Sequence, residues 1–245
     1  MGDVNPQSDE NEVERLQADL DRMKVEFEQF VSMAAHNLRD SLRDVVANSQ
    51  LMTETYAGRL DPDAGVFLGR IQEGAARMQS LLAAMVDYSA AGLGEPSTST
   101  TDMETVLSQA LLCADTQIVE RSATVTHDPL PWVRGDFEVL TKVMHHLIRN
   151  AIEFCDMATP HVHVSCRREG GEWVFAVQDN GPGVDPEFQG RLFRAFKRLH
   201  GKEHPGNGLG LAFCKKTIEG NGGRMWMAST PGAGSKFYFT VAPAD

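Results

Sequence analysis

Long hydrophobic runs and an excess of positive charge are both missing from this sequence of 245 residues. No apolar stretch in it approaches the ~20 residues that a membrane span requires. The formal net charge of -11 at pH 7 argues against nucleic acid or an anionic membrane as the main partner. The first residues, MGDVNPQSDENEVERL, lack the basic and then apolar segments of a signal peptide. These absences predict a cytoplasmic protein without a membrane span.

Cysteine is scarce, and the four that occur are far apart and form no CxxC pair. This spacing predicts reduced, mostly packed thiols and excludes a disulfide scaffold. With 42% hydrophobic and 23% charged residues, the composition is that of an ordinary globular protein. The cysteines are Cys113, Cys155, Cys166 and Cys214.

Two stretches near the N-terminus carry apolar residues at the alternating three- and four-residue spacing of a coiled coil. A break at YAGRLDPDAG separates them, which predicts an antiparallel helical hairpin over residues 13–91, after a disordered tail over residues 1–12. One hairpin cannot cover both seams, so we expect a homodimer in which two copies form a four-helix bundle. The first seam continues towards the N-terminus, which favours an upstream sensor domain absent from this chain. The seams are Val13, Leu16, Leu20, Met23, Phe27, Phe30 and Ala34, and then Phe67, Ile71, Gly74, Met78, Leu81, Met85 and Tyr88.

The remaining sequence mixes helical and strand patterns. GLGEPSTSTTD, residues 92–102, is a linker by composition, and Thr101 with Glu104 forms a capping-box pattern before the helical stretch DMETVLSQALLCADTQIVE. HVHVSCRR and EWVFAVQD flank a Gly-Gly turn, as in a β-hairpin, and RMWMAS and SKFYFTVA predict two final strands. Residues 103–245 are therefore expected to form an α+β domain with a mixed, largely antiparallel sheet and helices on one face.

Two glycine clusters in this second domain could bind a nucleotide. GNGLGLA at 206–212 opens a helix, where glycines allow close backbone approach and helix N-terminal amides favour an anion. It is not a P-loop, because no Gly-Lys-Ser or Gly-Lys-Thr follows. DNGPG at 179–183 follows a strand, and its Asp179 carboxylate suits an exocyclic amine such as that of adenine.

The order of the motifs is more specific than any one of them. Asn150 lies in HHLIRNA, and DNGPG, LFRAFKR and GNGLGLA follow it. In that order, and with AAHNLRDSLR upstream, they resemble the catalytic core of sensor histidine kinases over roughly residues 25–242. FKRLHGKEHPGNGLGLAFCKK is most similar to the phytochrome-type branch. The resemblance implies a dimeric helical hairpin followed by an α/β-sandwich ATPase domain.

The resemblance also implies ATP and Mg²⁺ as cofactors and assigns a role to each motif. Asn150 matches the asparagine that ligates the Mg²⁺ bridging the phosphates, and Asp179 matches the adenine-reading aspartate. Lys197 and Arg198 are candidate cations for the triphosphate. Gly181 and Gly183 match the first glycine box, which shapes the loop that binds adenine. The second glycine box, whose backbone lies against the phosphates, corresponds to Gly206, Gly208, Leu209 and Gly210.

His36 falls at the phosphoacceptor position of the family. An α-helix turns about 100° per residue around its axis, so the His36 side chain lies about 200° around the helix from Ala34 and from Leu38. It should therefore point away from the seam, into solvent. The implied reaction transfers the γ-phosphoryl group of ATP to a ring nitrogen of His36. No receiver-like segment is present, so the next acceptor would be an aspartate of a separate response regulator.

Four residues depart from the family pattern. Asn37 replaces the acidic residue after the histidine, and Ser41 stands where a proline is expected. The other two departures lie in the motif around Asn150. There His146 stands where the family has an asparagine, and Glu153 stands where it often has a lysine. Asp40, one helical turn from His36, could supply the missing carboxylate.

These departures leave two interpretations open. One is an ATP-dependent protein-histidine kinase whose rate these residues leave open. The other is a weakly active or pseudokinase dimeric module that binds nucleotide or a regulator, or relays phosphoryl groups, without efficient autophosphorylation. A gyrase-type ATPase is disfavoured because it does not account for the hairpin carrying His36. His161 and His163 share a strand face, but no third ligand stands near them in the sequence, so we predict no metal site there.

Overall fold

The computed structural model describes residues 6–155, 159–197 and 206–244, and the chain divides into two compact units between Ala90 and Ala91. The first unit consists of two long helices, α1 (Pro6–Thr55) and α2 (Pro62–Ala90). The second unit contains the remaining helices and strands. In chain order they are β1 (Thr100–Asp102), α3 (Met103–Cys113), α4 (Asp115–Glu120), β2 (Thr124–His127), β3 (Trp132–Arg134), α5 (Phe137–Glu153), β4 (His161–Glu169), β5 (Glu172–Asp179), α6 (Pro186–Gln189), α7 (Gly210–Gly220), β6 (Met225–Ser229) and β7 (Ser235–Val241).

The first helix begins earlier than its sequence indicates. The polar composition of residues 1–12 predicts a disordered tail, but α1 already begins at Pro6. Proline is well tolerated in a first helical turn, because the N–H group that it lacks would have no partner there. In the described residues, no helix combines the length and the apolar character that crossing a bilayer requires.

Small side chains mediate the contact between α1 and α2. Ala35 and Ala75 are 2% and 1% exposed, and Val31 and Leu68 are buried with them. Alanine at such positions lets two helices approach closely, and the surrounding apolar atoms then leave water together. The helical hairpin expected from the sequence is confirmed.

Most of the two predicted seams lies outside this contact. Phe30 is 69% exposed and Phe67 is 59% exposed, whereas Leu81, Met85 and Tyr88, towards the end of α2, are half-buried. The seams therefore form an apolar face that the hairpin itself leaves uncovered, which is the surface that a second copy would need to bury. Exposed members of this face are Leu16, Leu20, Met23, Phe27, Phe30, Phe67, Ile71 and Met78.

The second unit is a sheet covered by helices. The five-stranded sheet has the order β2-β4-β5-β7-β6, and only the β2–β4 pair is parallel. Helices α5 and α7 pack on the sheet, and α3 packs on α5. Phe175 of β5 and Phe239 of β7 stack in the core, with ring centroids 5.1 Å apart. The mixed, largely antiparallel sheet and the α+β class are confirmed.

The first strand lies inside the stretch predicted to be a linker. β1 pairs antiparallel with β3 as a small second sheet, and the Thr101 hydroxyl donates a 2.6 Å hydrogen bond to the Gly135 carbonyl. Because Thr101 is held in this strand, Asp102 caps α3 instead, accepting a hydrogen bond from the Glu104 amide. The single helix expected after the linker is also interrupted, since α3 ends and α4 begins on either side of Ala114.

Candidate functional site

A cleft in the second unit brings most of the predicted nucleotide-binding residues together. Its walls are the C-terminal half of α5, the loop after β5 and the glycine-rich segment before α7. Its empty space, with the open solvent at its mouth included, is about 960 Å³. The predicted residues lining it are Asn150, Asp179, Gly183, Lys197, Gly206, Gly208 and Gly210.

The other predicted residues of this site have different positions. Gly181 supports the Asp179 carboxylate, to which its amide donates a hydrogen bond. Leu209 is 1% exposed and belongs to the core beneath the cleft. Arg198 lies outside the described residues.

Asp179 is the buried carboxylate of the cleft. It ends β5, and its Oδ1 accepts hydrogen bonds from the amides of Gly181 and Ser235, both at 2.9 Å. Burial raises the pKa of Asp179, while these two hydrogen bonds act in the opposite direction. The side chain is thus fixed in one orientation, as a residue that recognises one edge of a base must be.

The loop after Asp179 is fastened to the turn between β6 and β7. The Val184 amide donates to the Ser229 hydroxyl at 2.8 Å, and the Gly232 amide donates to the Pro182 carbonyl at 2.7 Å. Gly183 has φ +71° and lies against the Thr230 carbonyl, where a Cβ atom would collide. Ser229 was not predicted, because it lies 45 residues from its partner and has no local signal.

The second glycine cluster forms the opposite wall. Gly208 has φ +70° and accepts a 2.9 Å hydrogen bond from the Phe196 amide, which joins this segment to the loop carrying Lys197. Asn207, a cleft residue that sequence reasoning missed, accepts a hydrogen bond from the Leu209 amide at 3.1 Å. Helix α7 then begins at Gly210, so its first amides lie at the cleft.

One face of α5 lines the cleft with four polar side chains. His146, Arg149, Asn150 and Glu153 follow helical spacing and all contribute to the wall. The Arg149 Nε atom lies 3.8 Å from a Glu153 carboxylate oxygen. The His146 ring packs on Phe213 with centroids 5.2 Å apart, and a Cβ atom on Gly210 would approach its Nδ1 to 3.2 Å. Arg149 was not predicted, although its helical spacing from Asn150 and Glu153 placed it on this face.

His36 lies on the exposed surface of α1 in the first unit. Its side chain is 70% exposed, as the helical geometry predicts. Its Nε2 atom lies 3.5 Å from one carboxylate oxygen of Asp40, whose other oxygen lies 3.2 Å from Arg43. The imidazole is thus accessible and has a carboxylate one helical turn away. Ser41 donates instead to the Asn37 carbonyl along the helix, at 3.2 Å.

His161 and His163 lie on β4, and His163 contacts neighbouring side chains. His163 Nδ1 lies 2.8 Å from the Thr126 hydroxyl, and its Nε2 lies 3.6 Å from Asp128. Over residues 6–155, 159–197 and 206–244, His, Cys, Asp and Glu side chains form no group of three that could hold a metal ion.

Comparison with known proteins agrees with this geometry. Residues 135–245 match the family of histidine kinase-, DNA gyrase B- and HSP90-like ATPases. Cyanobacterial phytochrome A of Nostoc sp. strain PCC 7120 is 39% identical over 232 residues, which cover 94% of this chain and 30% of that protein. The chain is a sensor histidine kinase core of the phytochrome-type branch.

Two solved structures share the fold of this histidine kinase core. Full-length ShkA in complex with AMPPNP has a TM-score of 0.71 at 24% identity, over 88% of this chain and 46% of ShkA. Histidine kinase ThkA in complex with the response regulator TrrA has a TM-score of 0.60 at 16% identity, over 98% of this chain and 67% of that chain.

The four departures of this histidine kinase core from its family pattern fall in two places. Asn37 and Ser41 are neighbours of His36 on α1, and His146 and Glu153 line the cleft on α5. Asp179, which accepts two backbone hydrogen bonds, matches the aspartate of the family pattern. The departures therefore lie beside His36 and on one wall of the cleft, and they leave the buried aspartate unchanged.

Proposed function

We propose that this chain is an ATP-dependent protein-histidine kinase of a two-component system. It phosphorylates its own His36 and passes the phosphoryl group to an aspartate of a separate response regulator. The observation that carries the proposal is the exposed His36 imidazole with the Asp40 carboxylate 3.5 Å from its Nε2 atom. An exposed imidazole alone would be unremarkable on a helix, but the second unit contains a cleft of the ATPase family.

In the reaction, one ring nitrogen of neutral His36 attacks the γ-phosphorus of ATP. The N–P bond forms, the bond from phosphorus to the β,γ-bridging oxygen breaks, and ADP leaves with that electron pair. The other ring nitrogen carries the N–H proton, and the ring gains positive charge as the new bond forms. Asp40 stabilises this charge and accepts the proton, the role that the family gives to the acidic residue replaced here by Asn37.

The cleft residues bind and orient the nucleotide. Asp179 accepts a hydrogen bond from the adenine amino group, and Gly181 and Gly183 shape the loop around it. The segment from Gly206 to Gly210 brings backbone amides against the phosphates. Lys197 and Arg198 neutralise phosphate charge.

The donor atoms at the cleft fit Mg²⁺. This ion prefers oxygen ligands and usually combines one or two protein ligands with substrate phosphates. The Asn150 side-chain amide supplies such an oxygen on the cleft wall. The bound ion would neutralise charge on the phosphates during transfer.

The partners follow from the exposed surfaces of the hairpin. A second copy covers the apolar seams to form a four-helix bundle, so the working unit is a homodimer. The response regulator then approaches the exposed face that carries His36, and the ThkA–TrrA complex of the same fold supports a partner of this kind.

A second function is favoured by Asn37 and Glu153. Asparagine cannot accept the proton, and a carboxylate at the cleft opposes the phosphate charge. In this alternative the dimer binds nucleotide or a regulator, or relays phosphoryl groups, without efficient self-phosphorylation.

Incubation with γ-labelled ATP and Mg²⁺ separates the two functions. A kinase acquires label that is acid-labile and base-stable, and His36→Gln loses it while still binding ATP. His163→Gln is the matched control, since it removes another partly exposed histidine and should keep the label. ATP binding without label in the unsubstituted chain would favour the alternative function. Label that survives in His36→Gln would contradict the assignment of His36.

A further inference from the structure

The cleft contains a carboxylate where the family pattern has a lysine. Glu153 is the last residue of α5, and its side chain lines the cleft while only 17% of it is exposed. A carboxylate held this far from water retains a strong interaction with any charge placed beside it.

Glu153 is placed next to the asparagine that would hold the metal. Asn150 and Glu153 are three residues apart on α5, so they are neighbours on one helix face, and both line the cleft. On its other side, Glu153 faces the glycine-rich segment, since a Cβ atom on Gly206 would lie 3.9 Å from its Oε1. The carboxylate thus lies on the same helix face as Asn150 and beside the segment expected to hold the phosphates.

Arg149 offsets part of this negative charge. Its Nε atom lies 3.8 Å from Glu153 Oε2, which is near the outer limit of an ion pair, and its side chain is 32% exposed. A triphosphate entering the cleft meets a carboxylate at the position where the family pattern has a lysine. A divalent cation between the Glu153 carboxylate and the triphosphate would attract both and so remove their mutual repulsion. Carboxylate and phosphate oxygens are ligands that Mg²⁺ prefers.

We infer that Glu153 is a second protein ligand of the nucleotide-bound Mg²⁺, beside Asn150, and that it makes nucleotide binding by this chain unusually dependent on a divalent cation. The inference rests on the proposed nucleotide-binding function and specifies its metal site. It also gives the family's cationic position a different chemical role, since a lysine would contact phosphate directly.

The inference predicts that removing the charge of Glu153 has opposite effects with and without metal. Affinity for AMPPNP is measured by titration calorimetry in Mg²⁺ and again in EDTA. In EDTA, Glu153→Gln should bind about 3- to 30-fold more tightly than the unsubstituted chain, because a like charge is removed. In Mg²⁺ it should bind on the order of 10-fold more weakly, because a metal ligand is lost. Glu153→Lys should bind in EDTA at least as well as Glu153→Gln.

A residue that only repels phosphate, or only supports the fold, would not produce this change of sign. Tighter binding by Glu153→Gln in both conditions, or unchanged binding in both, would overturn metal ligation by Glu153. Glu138→Gln is the matched control, because Glu138 is an exposed residue of the same helix and should alter neither affinity. Thermal melting of each variant without nucleotide checks that α5 remains folded. If the unsubstituted chain bound no nucleotide in Mg²⁺ or in EDTA, the proposed function and this inference would both be wrong.

Discussion

Replacing Asp40 by asparagine removes the carboxylate nearest to His36 and keeps a side chain of the same size. The Nε2–Oδ2 distance is 3.5 Å, so an amide at this position could still contact the ring but could not accept its proton. The variant therefore tests whether Asp40 takes the role that Asn37 cannot perform.

The solvent exposure of His36 and Asp40 sets how large a rate loss must be to indicate proton transfer to Asp40. The His36 and Asp40 side chains are 70% and 48% exposed, and an ion pair this open to solvent contributes about 0.2–1 kcal/mol, at most about fivefold in a rate. Loss of a general base costs about 10²- to 10⁴-fold. If Asp40 accepts the proton, Asp40→Asn should slow phosphohistidine formation about 100-fold or more. An effect below about fivefold would be that of an exposed pair alone.

The assay is the initial rate of acid-labile labelling from γ-labelled ATP at saturating nucleotide. Asp44→Asn is the matched control, because it removes an exposed carboxylate from α1 one turn beyond Asp40. Asn37→Asp in the Asp40→Asn background should restore much of the rate, since it returns a carboxylate to the position that the family uses. A loss of less than fivefold for Asp40→Asn, or an equal loss for Asp44→Asn, would refute the role of Asp40.

Three further substitutions test the cleft and the hairpin. Burial raises the pKa of Asp179 above its ordinary 3.8, so its ionisation costs folding stability as the pH rises from that value through the raised pKa. Asp179→Asn should weaken adenine nucleotide binding and raise the melting temperature relative to the unsubstituted chain. This gain should be absent in acid, grow as the pH rises through the raised pKa and stay constant above it, and a gain that is the same in acid and at neutral pH would contradict the burial argument. Gly183→Ala should lower the free energy of unfolding by about 1–3 kcal/mol or more, because its φ is +71° and a Cβ atom would collide with Thr230. In the same denaturant unfolding experiment, Gly190→Ala, which adds a Cβ atom in open space, should change it by no more than ~0.5 kcal/mol. Ile71→Glu should convert a dimer into a monomer in light scattering, while Glu73→Arg on another face of α2 should not; a dimer that survives Ile71→Glu would exclude this seam as the interface.

Elements with a local signature could be predicted from the sequence. The Gly-Gly turn between β4 and β5 specifies a hairpin, and the strand alternation on both sides of it agrees with the observed pairing. Helix α7 follows a glycine cluster and has a regular apolar face. In each case the residues that determine the element are neighbours in the chain, so composition and spacing contain the necessary information.

The hairpin shows what spacing cannot decide. A pattern of large apolar residues indicates that a helix face will be covered, but it does not say by which surface. Ala35 and Ala75 form the α1–α2 contact, yet alanine stands out little in a sequence because it is common on every helix face. The conspicuous residues, such as Phe30 and Phe67, are on the face that remains exposed in one chain.

Contacts between distant residues explain the other differences. β1 exists because it pairs with β3, and the hydrogen bond from Thr101 to Gly135 joins residues 34 positions apart. The loop after Asp179 depends in the same way on Ser229, far along the chain. A three-residue strand or a lone serine has too little pattern to be recognised before its partner is known. The motif residues of the cleft could be named from the sequence, but the residues that hold them in place could not.

Two of the four departures from the family pattern, Asn37 and Glu153, change a charge. Asn37 removes a negative charge beside His36, and Glu153 places a negative charge in the cleft where the pattern has a positive one. Phosphoryl transfer depends on neutralising the phosphates and on stabilising the imidazolium that forms, so both changes oppose the reaction unless other groups compensate. The two compensations proposed for this chain are Asp40 beside His36 and a Mg²⁺ ion bound by Asn150 and Glu153. They act on different species, one on the acceptor ring and one on the donor nucleotide, and neither requires a change in the fold. A chain that retained only the metal compensation would bind ATP but transfer slowly, and this is why nucleotide affinity and labelling rate have to be measured separately.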